Sequence, residues 1–282
     1  MTAPLGEPAR RPPLWVAVVW VGVAFLSCIC GIGGGLFAVP LLHYGARLPL
    51  RTAVGSALCL VFTLALTATV TEALRAESQL LVRVAAALVA GALPGSQVGF
   101  RVSQRIDALA LKTLFVLVLV GAGARVLTAS GHGGQVPGEL SRAEFLLVPL
   151  IGFTGGFLAP LLGIGGGLVV VPCLFLGFPT IGYVEARASS LAMAMVASGW
   201  SVRNYLRTGE LELRSVLPMM AATVLGAVLG VSAVHLPGWG EIARTSLGVV
   251  LLVVAVRFAR DVLKTRAARR ATAEASGSGT PG

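Results

Sequence analysis

Charge is what this chain has least of. Only 12% of its 282 residues are charged and 6% are aromatic, against roughly 25% charged residues in soluble domains. Several chemistries are excluded by what is missing. No Lys-Ser/Thr follows the glycine clusters, so they are not phosphate-binding P-loops, and no soluble βαβ unit surrounds them to make a dinucleotide turn. No HExxH and no paired aspartates support a metallo- or aspartyl enzyme, and the G-S-A-L at 55–58 and G-V-S-A at 230–233 do not fit a G-x-S-G nucleophile. The four cysteines, Cys28, Cys30, Cys59 and Cys173, lie in apolar segments with spacings that suit neither zinc nor a disulfide framework. They read as small packing residues. No catalytic residue, metal or cofactor is implied.

What is present is apolar length. Charge-poor runs cover 14–46, 52–71, 84–100, 108–124, 145–184, 188–202, 215–234 and 245–256, and mean hydropathy is +0.87. A helix needs roughly 20 apolar residues to cross a bilayer, so these runs predict an all-α membrane protein of about eight spans. Arg10 and Arg11 before Leu14 resemble a leader. However, no A-x-A-like site follows, FLSC at 25–28 fits a lipoprotein cysteine poorly, and the segment has an internal counterpart at 146–162. We read it as a span. The net charge of +10 draws on Arg257, Arg260, Lys264, Arg266, Arg269 and Arg270 near the C-terminus. That placement suits anionic lipid rather than nucleic acid, because stacking aromatics are absent there.

The chain repeats itself. Gly31-Ile32-Gly33-Gly34-Gly35-Leu36 matches Gly163-Ile164-Gly165-Gly166-Gly167-Leu168, 132 positions on, and Pro40 matches Pro172. Ala53–Leu58 then faces Ala186–Leu191, and Gly91 and Gly95 answer Gly226 and Gly230. The last two pairs carry the small-xxx-small spacing of closely packed membrane helices. The expected organisation is an N-terminal tail 1–13, a first repeat 14–130, a polar loop 131–143, a second repeat 144–262 and a basic, disordered tail 263–282. The positive-inside rule is decided by the two tails and places both termini in the cytoplasm.

Glycine inside a helix costs up to about 1 kcal/mol relative to alanine, so each cluster predicts a broken helix. Freed backbone groups are tolerated in hydrocarbon only where they meet protein or line a cavity. A paired interruption in two halves points to a carrier's binding site. The candidate binding residues are Gly31, Gly33, Gly34 and Gly35 with Gly163, Gly165, Gly166 and Gly167, where helix N-termini suit an anion. Tight packing without a ligand is the alternative. Ser56, Ser189 and Ser190 are either hydroxyl donors to that anion or helix caps. Arg187, whose repeat partner is Val54, is either a bidentate anion contact or an interfacial anchor paired with Glu185. His43 is a candidate proton-coupling group, with simple packing as the other reading. No acidic residue stands inside a charge-poor run, which argues against a proton pump built on buried carboxylates.

The doubled GIGGG-x4-P segments, each followed by A-x-x-[ST]-[SA]-L and later by G-x-x-x-G, resemble the TauE/SafE family of sulfite and organosulfonate permeases. The resemblance covers about residues 14–262. It implies a multi-pass bacterial inner-membrane carrier of a small sulfur anion such as sulfite or sulfoacetate, without enzymatic activity. Ala57, where the second copy has Ser190, and Arg187 depart from the family pattern. An anion channel, or an intramembrane enzyme or assembly factor, stands as the alternative.

Overall fold

The computed structural model describes residues 14–45, 48–103, 113, 116, 119–121, 123–124, 126–128, 140–163, 165–209, 211 and 213–277. The N-terminal tail and most of the expected run 108–124 and loop 131–143 lie outside them. The described elements are helical: α1 (Leu14–Cys30), α2 (Gly35–Pro40), α3 (Leu50–Ala73), α4 (Val82–Ser103), α5 (Leu119–Thr128), α6 (Arg142–Leu162), α7 (Gly167–Gly177), α8 (Tyr183–Arg207), α9 (Leu213–Val234) and α10 (Trp239–Gly277). Five segments among the described residues are long and apolar enough to cross a membrane: Thr52–Ala73, Val82–Ser103, Glu144–Leu162, Val216–Val234 and Trp239–Lys264. The long runs 14–46 and 145–184 are each divided between two helices. At the C-terminal end, α10 continues as helix through Gly277. This corrects the expectation of a disordered tail from residue 263, because Ala267, Ala268, Ala271, Ala273 and Ala275 are strong helix formers.

Both glycine clusters reverse the chain. Gly31, Gly33 and Gly34 have φ of 71°, 84° and 81°, and Gly163, Gly165 and Gly166 have 69°, 80° and 80°. Left-handed backbone costs an L-residue about 1–2 kcal/mol, so the breaks belong to glycine. After the second break Gly166 lies against the backbone of Gly155, with Val170 beside it. Helix α7 therefore runs back along α6. In the first half Gly34 comes back to Ser27, whose Oγ is 3.6 Å from the point where a Cβ would stand. Helices α6 and α7 form a packed hairpin, whereas α1 and α2 meet only close to their break, and α2 packs on α3 instead. Pro40 ends α2, and the chain slackens into a π-helical turn at Leu41–Gly45, as expected where a proline removes a backbone donor.

The halves are interlocked. Helix α4 packs on α6, and α9 packs on α1, so each half presents its glycine face to the first helix of the other. A Cβ at Gly91 would fall 2.8 Å from the Phe153 nitrogen, and one at Gly226 would fall 2.6 Å from the Val21 oxygen. The backbones are in direct contact. At the centre α3 and α8 run antiparallel: Val54, near the start of α3, packs with Tyr205 near the end of α8. Glu72, near the end of α3, pairs with Arg187 near the start of α8. Val54 corresponds to Arg187 and Glu72 to Tyr205, each 133 positions apart. Exchanging the halves therefore turns the bundle end for end.

Gly91→Val should drive side-chain atoms into the α6 backbone and destabilise the protein by about 1–3 kcal/mol. Gly22→Ala has nothing within 4 Å of the added methyl and should leave it unchanged or slightly steadier. Thermal unfolding in detergent would compare the two.

Candidate functional site

The hairpin tips meet each other. A Cβ on Gly31 would stand 2.9 Å from Val171 Cγ2 and 3.0 Å from Arg187 Cγ, whereas one on Gly163 would stand 2.7 Å from Val39 Cγ2 and 3.3 Å from Val54 Cγ1. Val39 and Val171 correspond at 132 positions, Val54 and Arg187 at 133. The tips thus make the same contacts in exchange. Gly167 closes on the Gly31 carbonyl, with Ser190 Oγ 3.2 Å from its Cβ point.

Polar groups are sealed around this junction. Ser27, Ser56, Arg187, Ser189 and Ser190 are completely buried. Ser27 Oγ, Ser189 Oγ, Ser190 Oγ and Arg187 Nε have no hydrogen-bond partner among the described residues. An unmet buried donor costs about 1–3 kcal/mol, so four such groups are an expensive arrangement unless something occupies them. Gly31, Gly167, Arg187 and Ser190 form one locus, and Gly163 and Gly165 lie beside Val54 and Val61. Gly33, Gly34 and Gly35 complete the first tip, and Gly166 holds the second hairpin closed against Gly155. Among the remaining candidates, Ser56 is buried within α3. His43 lies on the π-turn at the far end of the first half-helix, where its Nδ1–H donates to the Leu48 carbonyl at 2.8 Å.

Arg187 has an acidic partner that the residue pattern did not suggest. Its Nη2 donates to Glu72 Oε2 at 2.8 Å, and its Nη1 donates to the Cys28 carbonyl at 3.4 Å. His235 Nε2 lies 2.9 Å from Glu72 Oε1, and the Gln79 amide donates to the same oxygen at 3.1 Å. Glu72 is 1% exposed. Two expectations are corrected here. Glu185 does not pair with Arg187; it accepts from the Gly182 nitrogen at 2.8 Å and caps α8. A buried carboxylate does exist, because α3 continues past its charge-poor run to Ala73.

The signal for this cluster was present in the repeat. Arg187, Glu72, His235 and Cys28 correspond to Val54, Tyr205, Phe100 and Pro160. Those four also come together: Val54 packs with Tyr205 and Phe100, the two rings meet edge to face at 5.1 Å, and the Tyr205 hydroxyl donates to the Pro160 carbonyl at 3.3 Å. One end of the α3–α8 pair is ionic, and its mate at the other end is apolar and aromatic.

Helices crossing in two interlocked sets, with broken-helix hairpins enclosing an ion pair and idle donors, define a polytopic all-α membrane protein. The chain belongs to the TauE/SafE family: the model described as "Sulfite exporter TauE/SafE" matches residues 2–126 and 148–281. The family's description names exporters, not enzymes. The chain is 29% identical over 167 residues to the probable membrane transporter protein MJ0441 of Methanocaldococcus jannaschii, covering 57% of this chain and 61% of that protein. It is also 29% identical over 108 residues to the probable membrane transporter protein ORF9 of Sinorhizobium sp, covering 38% and 39%. The matched stretches thus span less than two thirds of either relative. No solved structure matches the chain.

Removing one partner of a buried ion pair costs about 3–5 kcal/mol, whereas replacing both with apolar groups is often neutral. Arg187→Met should therefore lower the unfolding temperature sharply, and Arg187→Met with Glu72→Met should recover most of the loss. A double-mutant cycle read by thermal unfolding checks this.

Proposed function

We propose that this protein is a secondary carrier of a small anion, a sulfur oxyanion or organosulfonate such as sulfite or sulfoacetate. The observation that carries the reading is the group of enclosed, unpartnered donors at the hairpin tips, Arg187 Nε with the hydroxyls of Ser27 and Ser190, to which the buried Ser189 hydroxyl on the same helix is added. The Gly163–Gly167 tip adds the N-terminal end of α7, where free N–H groups and the helix dipole favour negative charge. The first tip, Gly31 and Gly33–Gly35, lies across from it. A planar guanidinium, hydroxyls and backbone N–H groups suit the several oxygens of such an anion.

The end-for-end exchange of halves supports alternating access by inverted repeats rocking around the junction. Each hairpin re-enters the membrane, and each half crosses an odd number of times. The protein sits in the plasma membrane with both termini in the cytoplasm, its basic C-terminal stretch lying along anionic lipid. The family and the names of the relatives support transport, and the choice of sulfur anion rests on the family description. His43, whose Nδ1 bonds the Leu48 carbonyl, is the further candidate for proton coupling.

Uptake into proteoliposomes should be saturable for sulfite, sulfoacetate or a close analogue and absent for chloride. Ser190→Ala removes a donor to a charged ligand, which is worth about 1.5–3 kcal/mol, so half-saturation should rise at least about ten-fold. The same variant relieves an unmet buried hydroxyl and should leave unfolding of the anion-free protein unchanged or raised. Undiminished affinity in Ser190→Ala would remove that residue from the site. No saturable flux of any sulfur anion by folded protein would overturn the carrier reading.

A further inference from the structure

We propose that Glu72 and His235 are a proton-binding site competing with the carried anion for Arg187, so that anion and proton bind and move together. This rests on the anion-carrier reading and names its coupling ion. Without anion, Arg187 is neutralised by Glu72 at 2.8 Å, and the cluster holds one positive and one negative charge. Anion alone would leave the buried cluster with excess negative charge, and a proton on Glu72 alone would leave Arg187 unbalanced. Both states are disfavoured where water is excluded. When a proton is added to the Glu72 carboxylate, Arg187 loses its counter-charge just as the anion supplies one. For a singly charged anion such as hydrogensulfite the net charge is then the same as before: guanidinium and anion, with a neutral carboxylic acid beside them.

The geometry provides the route. The His235 side chain is 14% exposed while its Nε2 lies against Glu72, whose own side chain is 2% exposed. An imidazole with one face open and its Nε2 on the carboxylate can relay a proton between the surroundings and Glu72. The groups facing Glu72 are Arg187 from α8, His235 beyond the end of α9, Cys28 from α1 through Arg187, and the Gln79 amide from the loop after α3. Tyr183, at the start of α8, donates its hydroxyl to the Ile29 and Ala243 carbonyls. The corresponding residues at the other end that the structure describes in contact are Val54, Tyr205 and Phe100.

The test uses full-length protein in proteoliposomes with sulfite as probe. Wild type should accumulate sulfite when an inward proton gradient is imposed. Glu72→Gln mimics the protonated carboxyl and should bind and exchange sulfite by counterflow while losing gradient-driven accumulation about ten-fold or more, within the range of coupling energies between linked sites. His235→Phe installs the residue found at the corresponding position and should slow gradient-driven uptake with counterflow intact. It stands in for Glu72→Gln if that variant fails to fold. Infrared difference spectra between acid and neutral pH should show a protonated carboxyl in wild type that Glu72→Gln lacks. If wild type transports sulfite and either folded variant follows the proton gradient as wild type does, the coupling proposal fails and the carrier reading stands. If folded wild type moves no anion, both fall.

Discussion

A helix reversed inside hydrocarbon must meet two demands at once. The backbone has to adopt left-handed angles, and its freed N–H and C=O groups must find protein. The six positive-φ glycines at the two breaks meet the first demand. The second is met by interlocking, since each tip lies against the other hairpin: Gly31 on Val171 and Arg187, Gly163 on Val39 and Val54. Neither hairpin has a packed tip without its counterpart. The central junction, the antiparallel α3–α8 pair and the exchanged packing of α4 and α9 all follow from that mutual dependence.

The matched frame makes its departures informative. Where two ends of a structure are related by repetition, side chains that differ between them serve something the frame does not require. At one end Val54, Tyr205 and Phe100 form an apolar and aromatic contact. At the other, Arg187, Glu72 and His235 form an ion-paired one, buried except at the imidazole. A buried ion pair is weak evidence of stability, because desolvation can exceed the Coulomb gain. The apolar mate shows that the same frame is filled without charge, so packing alone does not account for the ion pair.

Much of this was legible in the residues. Apolar run length indicated an all-α membrane protein, and glycine spacing located both breaks. The Gly91/Gly95 and Gly226/Gly230 pairs marked close backbone approaches. Their partners were not legible: spacing identifies a face that packs tightly, but not that α4 meets α6 across the halves. Glu72 was missed because it falls one residue beyond a charge-poor run and so looks like the polar end of a span. Only its aligned position opposite Tyr205, combined with Arg187 opposite Val54, could have paired the two. Glu185 misled for the opposite reason, since it is near Arg187 in sequence but turned to the cap of its own helix. Local propensity in the alanine-rich end of α10 outweighed the basic composition that suggested disorder.

The exchanged packing also bears on how the chain is made. Translation delivers α1 to α4 before α6 exists, yet the glycine face of α4 fits the backbone of α6, and the face of α1 is reserved for α9. The nascent first half thus waits in the bilayer with two grooves open and a hairpin tip uncovered. The contacts of α4 with α6 and of α9 with α1 form only after the second half has been made. A chain stopped near the middle would carry α1 to α4 with the α4 face that meets α6 and the α1 face that meets α9 uncovered.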